Sequence, residues 1–170
     1  MEIIVLSIRV IHVLLGVFWA GAVFFLLLYL EPTVREVGPD AGKVMSGLQR
    51  RGMTRTLLGV GLVTIVTGVY LLWQLSGGFS GSFMGSRSGI LLSTGMLAAL
   101  LALGVGAHVS KPTAERLTSL GEQLAAAGAP PSDEDQAEMA RLRNKLRGAL
   151  RVVATLLLVA LVTMALGPHV

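Results

Sequence analysis

Four stretches of this chain are long, almost wholly apolar and free of internal charge: residues 10–30, 56–73, 89–109 and 152–166. A helix needs about 20 such residues to cross roughly 30 Å of hydrocarbon, where each backbone polar group must be satisfied inside the segment. A Lys, Arg, Asp or Glu at mid-bilayer would cost about 3 kcal/mol. None lies inside these runs, and only His12 interrupts the first. The reading is an all-α integral membrane four-helix bundle, with the lipid bilayer as its main partner. Charged residues make up 14% of the chain, against about a quarter in soluble domains. Ala20-Gly21-Ala22 mimics a leader cleavage site, but the apolar run through Leu30 is too long for a secretory leader. The segment is expected to stay as the first helix, with Arg9 reaching to the interface.

The chain has no cysteine, which excludes disulfides, thiolate zinc sites, iron–sulfur clusters and covalently attached haem. Aromatics at 5% give no stacking platform for nucleic acid. The basic residues instead report topology. Of the 14 Lys and Arg, all but Arg9 and Arg87 fall in the segments after helices one and three. The excess of cytoplasmic Lys and Arg in membrane proteins puts those segments inside and both termini outside.

Between the spans the chain reads as helical. In the cytoplasmic loop 111–146, Leu117, Leu120 and Leu124 share a face behind Pro112, and Gly128 is a natural stop. After Ala129-Pro130-Pro131, Ser132 and Asp135 have the spacing of a capping box for a helix running into span four. The second helix is expected to start near Asp40, so that helices 2 and 4 both extend into the cytoplasm. The outer segment from Ser76 to Ser88 is Gly/Ser-rich and reads as a flexible loop. No internal repeat stands out. Gly95, Ala99, Ala102 and Gly106 form a small-residue stripe on helix three, and Gly61, Thr64 and Gly68 form one on helix two. Such stripes let helices pack closely, or leave a slot for a flat cofactor.

An ionisable side chain inside a span marks a candidate site. His12 lies roughly 10 Å from mid-bilayer on the outer side, at about 1.5 Å per residue, with Gly16 and Trp19 on its face. Its imidazole could ligate haem iron or copper, with Gly16 admitting a porphyrin edge, or could bond a helix carbonyl or hydroxyl. His108 differs from it in depth by roughly 20 Å on the same rise, so the two cannot hold one iron. Met96 and Met164 share the outer half with His12, and one histidine with two thioethers is a set that Cu(I) accepts. Both are equally ordinary core filler. Hydrolase triads, phosphate-cradling Gly loops and carboxylate pairs within a span are absent.

The run from Arg9 to Gly21, with His12, Trp19 and Gly21, resembles the first helix of the copper-resistance protein D-like superfamily, small four-helix membrane proteins that include HemJ-type protoporphyrinogen oxidases. Arg50-Arg51, Thr67-Gly68-Val69-Tyr70, His108, and Leu142-Arg143 with Arg147 extend the resemblance. It implies a bacterial cytoplasmic-membrane protein whose first-helix histidine binds haem b or handles copper, with His108 matching the histidine that closes helix three. Where members carry a lysine early in helix three this chain has Leu97, which points away from the oxidase activity. Three functions are therefore expected in competition: a haem b protein using His12, Gly16, Trp19 and His108; a copper-handling protein using His12, Met96 and Met164; and a cofactor-free accessory subunit that docks on a membrane partner or on a second copy.

Overall fold

The computed structural model describes residues 2–38, 41–128 and 130–169. The expected helix start at Asp40, and Ala129 of the expected break, lie outside these. Every regular element among the described residues is helical. We number the longer ones α1 (Glu2–Val37), α2 (Ala41–Arg50), α3 (Met53–Leu75), α4 (Arg87–Ala127) and α5 (Asp133–Leu166). Helices α1, α3, α4 and α5 are each long and apolar enough to cross a membrane. They contain the four stretches read from the sequence.

Two boundaries differ from expectation. The lead-in to span two is not continuous with it: α2 stops and α3 starts anew across Gly52, whose φ of +80° is a left-handed conformation that side chains avoid. The Gly52 N–H bonds the Gln49 carbonyl at 2.9 Å, closing α2. At Pro112 the reverse holds. The chain was expected to begin a new helix there, yet α4 runs through it unbroken. A wide π-type turn over Gly106–Ser110 makes this possible, with the Lys111 N–H bonding the Gly106 carbonyl five residues back. Proline has no N–H to give and collides with the carbonyl four residues before it, and the wide turn absorbs both. The capping box at Ser132 and Asp135 forms as expected, and Gly128 ends α4 with φ +65°.

The four long helices pack in a ring. The α1–α3 and α4–α5 faces are the most extensive, and α3–α4 and α1–α5 close the circle. Small residues let them approach, Ala102 being 0% exposed, and Trp19, Val23, Ile65, Val153 and Leu157 fill the centre. Outside, the pattern is inverted relative to a water-soluble bundle: Leu14 and Val17 on α1 are 64% and 62% exposed. An apolar exterior of that kind suits contact with lipid tails. The Ser76–Ser88 segment, expected to be flexible, is folded on itself. Ser76 is 1% exposed, its hydroxyl accepts the Phe79 N–H at 2.7 Å, and its carbonyl accepts the Ser80 hydroxyl at 2.7 Å.

The structure also exposes an internal repeat. In α1 a wide turn over Leu26–Leu30 precedes Glu31-Pro32-Thr33; in α4 the one over Gly106–Ser110 precedes Lys111-Pro112-Thr113. The partner helices match as well. Arg51, Gly52, Arg55, Val63 and Thr67 recur at one constant spacing as Arg147, Gly148, Arg151, Val159 and Thr163. Even the bonds repeat: the Thr67 hydroxyl reaches the Val63 and Thr64 carbonyls, and that of Thr163 reaches their counterparts, Val159 and Ala160. The two helical pairs thus share turns, residues and bonds at matching positions.

Candidate functional site

His12 is half-buried where α1 meets α3. Its Nδ1 lies 2.8 Å from the Thr64 carbonyl oxygen and 3.2 Å from the Thr67 hydroxyl. A carbonyl only accepts, so Nδ1 carries the proton and donates it. In the neutral ring the lone pair is then on Nε2, which makes no hydrogen bond among the described residues. This is how a ligating histidine is usually held, its other nitrogen tied to a carbonyl that fixes ring and tautomer.

The ring lies on Gly68, where a Cβ would come within 2.8 Å of Cε1. One turn along, a Cβ on Gly16 would stand 3.5 Å from the Thr64 methyl, and beyond it Trp19 lies on Gly61, where a Cβ would be 2.9 Å from both Cε2 and Cζ2. The face formed by His12, Gly16 and Trp19 thus meshes in order with Gly68, Thr64 and Gly61. The small-residue stripe of α3 is filled by the protein's own rings, so it leaves no slot for a cofactor between these two helices. Trp19, 4% exposed, is a packing residue here. Gly16 serves close approach.

The other candidates fall elsewhere. Gly61 and Gly106 of facing helices lie against Leu103 and Leu58 respectively, which fixes the antiparallel register of α3 and α4. Counted from those contacts, Met96 of α4 is level with Gly68 and hence with His12. Met164 packs in the second pair, its Cγ 3.0 Å from where a Gly95 Cβ would stand. His108 is exposed within the wide turn of α4, roughly 18 Å from His12 along the bundle at 1.5 Å per residue. The two histidines belong to separate places, as their depths foretold. Leu97 is 58% exposed on the outer surface. Among the described residues no three His, Cys, Asp or Glu side chains gather as a metal site.

The sequence allowed that His12 bonds a helix carbonyl or hydroxyl, and it does, but sequence reasoning did not single out Thr64 and Thr67 as the partners. Their three-residue spacing beside Gly68 was the available signal, but the acceptor itself is a backbone carbonyl. It also missed the ion pair of Arg147 with Glu31, which ties α5 to the end of α1 with both side chains about three-quarters covered. Fold and site together define the class: an all-helical chain with four helices fit to cross a membrane, and one histidine held from inside. Comparison with protein-family models, curated proteins and solved structures finds no match to this chain.

Proposed function

We propose that this is an integral membrane protein that binds haem b through Nε2 of His12. The observation that carries this reading is the hydrogen bond from Nδ1 to the Thr64 carbonyl. It orients the ring, sets the tautomer and leaves the coordinating nitrogen free, at a depth where an imidazole without a role is costly. The hollows at Gly61 and Gly68 are occupied, so a porphyrin held by His12 would need a place outside the α1–α3 contact, with Gly16 and Trp19 fixing the helix that carries the ligand. A bound haem would supply one-electron chemistry. The distribution of basic residues supports both termini outside, with α2 and the Pro32 and Pro112 ends inside, in a cytoplasmic membrane.

The test is the visible spectrum of the detergent-purified protein, prepared with haem supplementation. A Soret band is expected, lost or shifted in His12→Ala. A colourless preparation would falsify the reading. Orientation is checked on the cysteine-free background: Ser46→Cys should be labelled only from the cytoplasm and Ser82→Cys only from outside.

A second reading is favoured by the level of Met96. With His12 it offers an imidazole and a thioether at one depth, to which Met164 of the second pair would add a further sulfur for Cu(I). It requires stoichiometric Cu(I) binding that is lost when both methionines become leucine; absence of copper at equal loading rejects it.

A further inference from the structure

An apolar groove of about 270 Å³ opens where α1, α2 and α3 come together. Phe18, Ala22 and Leu30 of α1, Leu48 of α2, and Met53 and Thr56 of α3 line it, and Thr56 is the only polar residue in its walls. Two features of the backbone flank it. The wide turn over Leu26–Leu30 supplies part of the α1 wall, and the left-handed break at Gly52 sets Leu48 and Met53 on separate helices. Phe18 lies six residues along α1 from His12, roughly 9 Å at 1.5 Å per residue. It is 52% exposed, whereas Trp19 beside it is buried. The groove is thus separate from the histidine and faces outward.

Charge at this end of the bundle is one-sided. Residues 41–56, which run from α2 into α3, carry Lys43, Arg50, Arg51 and Arg55 and no acidic residue. Arg50 is held by Glu122 at 3.6 Å. Glu31, which follows the lining residue Leu30, is engaged by Arg147. Arg51 is exposed and makes no ion pair among the described residues. It stands in the turn that joins two lining residues, three positions after Leu48 and two before Met53. A flat helix surface touches a lipid tail on one side, whereas a groove surrounds it and gains dispersion contacts from several walls. A guanidinium next to such a groove suits a phosphate headgroup, which it can grip with two parallel bonds.

We propose that this groove holds an acyl chain of an anionic membrane phospholipid whose phosphate is met by Arg51. The inference rests on the membrane reading but not on haem. A protein that stays monodisperse without detergent would refute the membrane reading, whereas the lipid site stands or falls on the variants alone.

The experiment is native mass spectrometry of the full chain in detergent, titrated with phosphatidylglycerol or phosphatidylcholine. Wild type should retain both, phosphatidylglycerol the more strongly. Ala22→Phe and Thr56→Phe fill the groove from its α1 and α3 walls and should each release both lipids. The thermal midpoint of the lipid-free protein should not change, because the added ring enters open space. Leu62→Phe, at a position of α3 that is 54% exposed and outside the groove, should retain both lipids. Arg51→Gln should lower the preference for phosphatidylglycerol roughly fivefold, the worth of one basic group near the headgroups, with phosphatidylcholine retained as in wild type. Arg87→Gln, at the opposite end of the bundle, should leave that preference intact. Undiminished retention in either folded phenylalanine variant, or an equal loss in Leu62→Phe, overturns the groove as the site. A preference unmoved by Arg51→Gln, or lowered equally by Arg87→Gln, overturns the headgroup assignment. A dimer that resists lipid titration and disappears in the phenylalanine variants would give the groove to a second copy instead.

Discussion

The two helical pairs share one plan and use it differently. In the first, bulk sits on the leading helix: His12 and Trp19 of α1 press into Gly68 and Gly61 of α3. In the second, bulk sits on the trailing helix: Thr163 and Met164 of α5 press on Gly95 of α4. Both solutions reach close packing, which in lipid has to replace the hydrophobic drive between helices. Only the first places a polar ring at the contact. The difference teaches that the scaffold does not need the imidazole, since its twin packs without one, and this favours a role for His12 beyond packing.

The largest test of that comparison is steric. Gly61→Leu should displace Trp19 and cost about 3 kcal/mol or more, while Gly59→Leu, on the open side of the same helix, should stay within about 0.5 kcal/mol. Thermal unfolding in detergent reads both. Gly95→Leu should match Gly61→Leu in the second pair, and a mild effect there would break the equivalence. Next is charge. Arg147→Gln leaves Glu31 half-buried and unpaired and should cost about 1–2 kcal/mol, whereas Arg51→Gln has no acidic partner to strand and should cost nothing measurable. The smallest effect is the most selective. Thr67→Val and Thr163→Val remove equivalent hydroxyls and should each cost about 0.6 kcal/mol. Only Thr67→Val should also move the Soret band, because only Thr67 touches the His12 ring.

The apolar spans were legible because lipid leaves a helix little choice, and the caps at Ser132 and Gly128 were legible because each is a local rule. His12 was legible as the one ionisable group well inside a span. The repeat was not, for a physical reason: its halves share few identities, mostly Gly, Arg, Val and Thr that recur for ordinary causes, and the segment joining the two helices is longer in the second half. The break at Gly52 and the continuity through Pro112 were misread together. A glycine among helix formers gives no warning of a left-handed turn, and a proline was taken as a start because the wide turn that accommodates it has no composition of its own. The Thr64 carbonyl that orients His12 belongs to the backbone, which no residue type announces.

The wide turns carry a consequence for how these helices are steered. One extra residue in a turn rotates all that follows by about 100° relative to an uninterrupted helix at 3.6 residues per turn. The segments beyond Pro32 and Pro112 therefore present a different side from the spans they continue. Each long helix is keyed at that point like two lengths of shaft joined off-phase. One length can keep its apolar face toward its neighbours while the other turns its charged residues elsewhere, as Glu31 turns to Arg147. Removing a single residue between Leu26 and Leu30 would realign the two lengths and unseat Glu31, though every span would keep its composition.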